Sequence, residues 1–137
     1  MEKRAKLKYI EVKKMIDSLN ESMNLVLNNT DIKFNNALKD SVIQRFEYSI
    51  EWIWKFLKYY LEEELWEDVE FPKQVFKSAY KAWIIENLKT YIDMIERRNR
   101  LSHDYHEEFA NISFDVILEE YLDEINKFIF FIWKKYE

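Results

Sequence analysis

Glycine is absent from all 137 residues of this chain, and proline occurs only once, at Pro72. Tight hairpin turns and phosphate-wrapping loops both rely on glycine, because glycine enters the left-handed backbone region without a steric penalty. The composition therefore excludes the glycine-rich loops of P-loop and dinucleotide-binding proteins. Helices joined by short turns are the structures most compatible with such a chain.

Apolar residues recur at alternating steps of three and four, which is the spacing of a helix with one buried face. This spacing predicts a first helix over residues 3–28 and a second over residues 36–65. No strand-like alternation bounded by turn residues occurs. The first two predicted buried stripes contain Tyr9, Val12, Ile16, Leu19, Met23 and Val26, and then Val42, Phe46, Ile50, Ile53, Leu57 and Leu61.

Local signals place three further helices. Pro72 suits the first turn of a short helix over residues 72–83, where its missing N–H is not needed. Asn87 is a candidate cap for a fourth helix, and Asn111 or Ser113 for the last one. We therefore predict a single domain over residues 1–137, an all-α, up-and-down bundle of about five helices. The predicted buried stripe of the fourth helix is Leu88, Tyr91, Ile92 and Ile95. That of the last helix is Leu118, Tyr121, Ile125, Phe128 and Ile132.

Composition limits the classes of function. Without cysteine the chain has neither disulfides nor thiolate metal ligands, and no apolar run is long enough to span a bilayer. We expect a cytoplasmic protein that does not enter a membrane. A net charge of −5 argues against broad, non-specific nucleic-acid binding, so any contact with nucleic acid must be local.

Residues 128–133 read Phe-Ile-Phe-Phe-Ile-Trp and are apolar around more than one helical face. A helix that packs against a core on one side does not need this. We expect part of the segment to be buried against a partner, most simply in a homodimer, and a wider contact within the chain is the alternative.

The segment from Arg98 to Tyr105 combines the side chains that handle phosphate. Arg98 supplies a planar, permanently charged fork suited to phosphate oxygens, and His103 can give or take a proton near neutral pH. With Tyr105 they form an R-x4-H-x-Y motif. Five residues of helix rotate about 500°, which leaves Arg98 and His103 about 140° apart. Either the helix ends near Leu101 and the chain turns back, or the two groups meet a second copy of the motif.

A purely structural interpretation remains open. Arg98 could pair with Asp93 or Glu96, and His103 could bind the last carbonyls of its helix. His103 and His106 lie three residues apart, but zinc needs three or four convergent ligands. We therefore expect no metal and no cofactor.

The long sequence context of this motif resembles one family, the nucleotidyltransferase substrate-binding proteins, which are bacterial and archaeal HEPN proteins. The resemblance covers roughly residues 38–133 and has two blocks. The first comprises residues 42–51, Trp54-Lys55 and residues 57–64, and the second comprises residues 76–82, residues 91–96, Arg98-Asn99 and residues 101–105.

The resemblance implies a HEPN-like fold and a metal-independent endoribonuclease whose two protomers build one composite site. Arg98 would bind the scissile phosphate and His103 would transfer protons, while Asn99 would orient the phosphate or the histidine. Arg100 and Ser102 are further candidates for binding phosphate or nucleotide.

Tyr105 has a different implied role. In the toxin branch called HepT, a minimal nucleotidyltransferase acting as the antitoxin adds AMP to this tyrosine of the motif, which switches the ribonuclease off. The alternative is a non-catalytic subunit that presents a nucleotide or another substrate to its partner nucleotidyltransferase.

Overall fold

The structure, a computed structural model, describes residues 3–137 apart from the side chains of residues 32 and 33. It is all helical over this range, with no strand. The last two α-helices and the π-helical segment between them run without a break and form one continuous helix. The described residues therefore form five helices, as predicted. The elements are α1 (Arg4–Asn28), α2 (Ile32–Leu65), α3 (Pro72–Lys81), α4 (Leu88–His103), α5 (Glu107–Val116), the π-helical segment Ile117–Tyr121 and α6 (Leu122–Tyr136).

The long helices alternate in direction. The backbone N–H of Ala5 donates to Glu63, which places the start of α1 beside the end of α2. The amides of Asn20 and Asn126 exchange two hydrogen bonds of 2.8 and 3.1 Å between α1 and α6. Every residue of the predicted α1 and α2 stripes is buried, and one continuous core joins all the helices. No helix within residues 3–137 is both long and apolar enough to cross a membrane.

Two predicted boundaries and one predicted cap are wrong. The second helix begins at Ile32 and not at 36, and the third ends at Lys81 and not at 83. The last helix is capped by neither Asn111 nor Ser113. It begins at Glu107, where Nδ1 of His106 accepts a hydrogen bond of 3.3 Å from the Phe109 N–H. Histidine is not among the usual capping residues, so this start carries no strong signal in the sequence.

The π-helical segment changes which residues of the last helix face the core. Tyr121, Ile125, Phe128 and Ile132 are buried as predicted, but Ile117 is fully buried where Leu118 was expected. A π-turn accommodates one additional residue, and this shifts the buried face between α5 and α6.

Trp83 shows how a chain without glycine ends a helix. Its φ of 63° lies in the left-handed region, and α3 ends there in a Schellman motif. The Ile84 N–H donates to the Ala79 carbonyl at 2.9 Å, and the Trp83 N–H donates to the Tyr80 carbonyl at 3.1 Å. Glycine is the usual residue at this position because a Cβ atom there is strained. The Trp83 side chain is 87% exposed, so packing does not offset that strain.

Replacing Trp83 with glycine is therefore expected to stabilise the protein. Trp83→Gly should raise the free energy of unfolding by about 1 kcal/mol, equivalent to a melting temperature about 3 °C higher. Trp83→Ala is the matched control, because it removes the same exposed ring and keeps the strained Cβ. Thermal unfolding followed by circular dichroism measures both variants. Equal melting temperatures for the two variants would show that backbone strain is not the cause.

The apolar end of α6 forms an aromatic patch, which we define as the stacked pair Phe130 and Trp133; these side chains are 58% and 42% exposed. Phe131, which is 38% exposed, borders a different cleft beside Trp83. Tyr136, just beyond the aromatic patch, stacks on Tyr9 near the start of α1. The patch therefore lies at the end of the bundle where α1 begins and α2 ends. The motif that begins at Arg98 contacts earlier parts of α2, as described below. The aromatic patch and the motif are separate surfaces.

Candidate functional site

The motif lies at the C-terminal end of α4. Asn87 caps this helix as predicted, its side chain accepting from the Thr90 N–H at 3.3 Å. The buried face then continues through Tyr91, Met94 and Ile95. The helix does not end near Leu101 but at His103, so the rotation of about 140° between Arg98 and His103 applies within one protomer. A single copy does not bring these two side chains onto one face.

Arg98 is half-buried and faces α2. Its Nη2 lies 3.5 Å from Oε2 of Glu51, and its Nη1 donates to Oδ1 of the neighbouring Asn99 at 3.4 Å. Nε is buried and has no hydrogen-bond partner within the part of the chain that the structure describes. The predicted alternative partners are engaged elsewhere, since Glu96 pairs with Lys73 and Asp93 accepts from a tyrosine. The guanidinium therefore keeps donor capacity for a further acceptor.

Ser102 and Arg100 point to different neighbours. Oγ of Ser102 lies 3.4 Å from Oε2 of Glu47 on α2 and 3.1 Å from the Arg98 carbonyl. Burial raises the pKa of the Glu47 carboxyl, while the Ser102 hydrogen bond and the nearby Arg98 charge oppose that rise. Arg100 instead stacks on α5, with its guanidinium carbon 3.9 Å from the centroid of the Phe109 ring. Of Ser102 and Arg100, it is Ser102 that is held beside Arg98.

Asn99 and His103 are exposed. His103 is the last residue of α4, where a cation interacts favourably with the helix dipole. Both side chains are open to a ligand or to a second protein surface. Their positions agree with a site that is completed from outside the protomer.

Tyr105 follows α4 and contacts the early part of α2. Its hydroxyl donates a hydrogen bond of 2.6 Å to Oδ1 of Asp40, and its side chain is 49% exposed. Burial, followed by the hydrogen bond to Asp40, raises the pKa of Tyr105 to about 12. A cleft of about 270 Å³ opens beside the pair and is bordered also by His106 and Glu107. The phenol is therefore neutral at physiological pH and accessible from the cleft.

Sequence reasoning missed the polar network that fixes α4 against the last helix. Arg97 donates to the Tyr121 hydroxyl at 3.0 Å and to the Ser113 hydroxyl at 3.1 Å, and Tyr121 donates in turn to Asp93. Tyr121 and Ser113 are buried. A signal existed, because Arg97 falls three residues after Met94 on a buried helix face. Arg97 therefore holds the helix that carries the motif, and Arg98 remains the arginine of the candidate site.

The sequence also did not reveal the acidic partners on α2. Asp40, Glu47 and Glu51 recur at steps of seven and four, so they share one side of that helix. Each contacts a different motif residue: Tyr105, Ser102 and Arg98, respectively. This spacing was the available signal. Its pairing with a motif more than 40 residues away is a tertiary contact that periodicity does not encode.

Other sites are less suited to phosphate. A cleft of about 810 Å³ lies near the start of α4, but its lining includes Glu86, Asp93, Glu96 and Glu120, which repel an anion. Within the described residues, no group of three or more His, Asp or Glu side chains is arranged to hold a metal ion. His103 and His106 are not part of such a group.

Residues 7–132 match the sequence model of a family described as nucleotidyltransferase substrate binding protein like. The chain belongs to this family. The match includes the whole motif and nearly all of the bundle. A comparison with curated proteins finds no significant match.

Several solved structures share the fold of this family member. A Thermus thermophilus protein is 24% identical with a TM-score of 0.71, and the alignment covers 92% of this chain and 98% of that one. A tri-AMPylated HEPN toxin of Shewanella oneidensis in complex with an MNT antitoxin is 19% identical, with a TM-score of 0.73 and coverage of 98% and 99%. A toxin–antitoxin complex with AMP-PNP is 17% identical, with a TM-score of 0.73 and coverage of 96% and 99%. The predicted all-helical, HEPN-like fold is confirmed.

Proposed function

We propose that this chain is a HEPN-type toxin: a cytoplasmic, metal-independent endoribonuclease, active as a homodimer and neutralised when a cognate minimal nucleotidyltransferase adds AMP to Tyr105. The observation that carries the proposal is the motif at the end of α4, with a half-buried Arg98 and an exposed His103 and Tyr105, in a fold that matches a tri-AMPylated HEPN toxin over 98% of this chain. Its single continuous core supports one domain as the functional unit.

The chemistry follows from the positions of the motif side chains. The Arg98 side chain is 31% exposed and its two Nη atoms lie beside Glu51 and Asn99, so they can bind a phosphate oxygen and stabilise the charge that develops there. The ribose 2′-hydroxyl attacks the phosphorus and the 5′-oxygen leaves. His103 transfers a proton to or from these ribose oxygens, and Asn99 orients the phosphate or the histidine. Ser102 and Arg100 bind phosphate or nucleotide nearby.

A homodimer is required because Arg98 and His103 diverge by about 140° on one continuous helix. Two copies of α4 that meet near this end place Arg98 of one protomer near His103 of the other. The aromatic patch of α6 lies toward the other end of the bundle, so this dimer contact does not need to cover it.

Mixing two inactive variants tests the composite site. Arg98→Ala and His103→Ala are each expected to be inactive as homodimers. Co-refolded or co-expressed together, they should recover about a quarter of the parent activity, because half of the randomly formed dimers are mixed and each retains one intact pair. Samples in which each variant is refolded or expressed only with itself are the control. No recovery in a sample that native mass spectrometry shows to contain mixed dimers would contradict the composite site.

The alternative function is a non-catalytic subunit that binds a nucleotide or another substrate for the nucleotidyltransferase. It is favoured by the description of the matching family, nucleotidyltransferase substrate binding protein like. This subunit would bind a nucleotide at Arg98 and leave RNA intact. Calorimetric titration with AMP and ATP, beside a cleavage assay, separates the two functions.

A further inference from the structure

Asp40 is placed in contact with the atom that the proposed modification would change. It lies in the first part of α2, 65 residues before Tyr105, and its Oδ1 accepts the Tyr105 hydroxyl proton at 2.6 Å. Both residues are exposed. A hydroxyl has one proton to donate, so Asp40 is the acceptor of that proton in this arrangement.

A tyrosine that receives AMP must lose its hydroxyl proton. With a pKa of about 12, only about one Tyr105 in 10⁵ is ionised at pH 7. Attack by the rare phenolate alone would be slow. A base in contact with the hydroxyl accepts the proton as the new bond forms, which typically accelerates such a step by about 10²–10⁴-fold.

We propose that Asp40 is the general base for AMP addition to Tyr105, so that this chain supplies the base for its own modification. The inference rests on the proposed function. The Tyr105 oxygen forms a bond to the α-phosphorus of ATP, the bond from that phosphorus to the oxygen bridging it to the β-phosphate breaks, and pyrophosphate leaves. The proton passes from the Tyr105 oxygen to Oδ1 of Asp40.

The surroundings of the pair suit this role. Tyr105 and Asp40 both line the cleft, so a ligand in the cleft can reach the pair. Lys39, His106 and Glu107 also border the cleft, and Glu47 acts on the Tyr105 hydroxyl through its charge. None of these groups accepts the Tyr105 proton, which goes to Asp40.

The test compares Asp40→Asn with the parent as substrates of the cognate nucleotidyltransferase and MgATP, with AMP addition followed by intact mass. Asn is the same size and can still accept the hydrogen bond, but it does not take the proton. We expect kcat to fall about 10²-fold at pH 7, with KM for the toxin changed less than about twofold. Glu107→Gln is the matched control, since it removes a carboxylate from the same cleft, and it should be modified at the parent rate.

The ratio of parent to Asp40→Asn rates, taken at each pH, removes the pH dependence of the transferase itself. We expect this ratio to fall about tenfold per pH unit between about pH 7 and 9, because the variant depends on phenolate and the parent does not. Equal rates, or a constant ratio that indicates positioning alone, would overturn the role of Asp40 and leave the proposed function intact. A parent protein that the transferase does not modify at all would overturn both.

Discussion

Arg98→Ala and His103→Ala are each expected to lower the rate of RNA cleavage by about 10³-fold. Loss of Arg98 removes the charge that stabilises the phosphorane, and loss of His103 removes the proton carrier. The fold should persist in both variants, because His103 is exposed at a helix end and Glu51 keeps Lys55 as a partner at 3.3 Å. The measurement is the initial rate on a labelled RNA, with melting temperatures taken in parallel.

The second histidine provides a control for this prediction. His106 caps α5 through Nδ1, and asparagine is also a good cap. His106→Asn should therefore keep both the fold and the parent activity. Parent-like cleavage by a folded Arg98→Ala or His103→Ala protein would show that the motif is not the catalytic site.

AMP on Tyr105 is expected to reduce RNA cleavage by at least about 10²-fold. The modification adds a bulky phosphodiester with a negative charge two residues from His103, where it competes with RNA phosphate for the same cations. Tyr105→Phe should cleave RNA like the parent and should stay active after incubation with the transferase and MgATP. The measurement is cleavage by each protein before and after modification, with the added mass confirmed.

Two outcomes would contradict this account of regulation. One is a fully modified protein that cleaves RNA at the parent rate, which would separate AMP addition from activity. The other is loss of activity in Tyr105→Phe after the same incubation, which would place the inhibitory modification or contact on another residue.

Periodicity was sufficient for most of the fold because the core is built from regular stripes. Ile16 and Ile50 are buried where spacing alone placed them. Spacing failed where the structure departs from an ideal α-helix. In the π-helical segment Ile117 is buried, where Leu118 was predicted to be. A histidine caps the last helix in place of the predicted residues. These departures depend on tertiary packing and on single hydrogen bonds, which leave a weak trace in sequence.

The residues of the candidate site were predicted from the sequence, but the residues that contact them were not. Chemistry and family resemblance identified Arg98, His103 and Tyr105. Their partners Glu51 and Asp40 come from α2, which packs on α4 only after the chain has folded. The proposed role of Asp40 as a base therefore follows from its contact with Tyr105 in the folded protein, and not from the sequence.

Incubation of the purified, unmodified protein with total cellular RNA in the presence of a chelator tests the central claim most directly. Intact mass first establishes that Tyr105 carries no AMP, and His103→Ala is assayed beside the parent. Cleavage by the parent alone is the predicted result, since the proposed site needs no metal and depends on His103. Intact RNA with the unmodified parent would contradict the ribonuclease and favour the nucleotide-binding subunit.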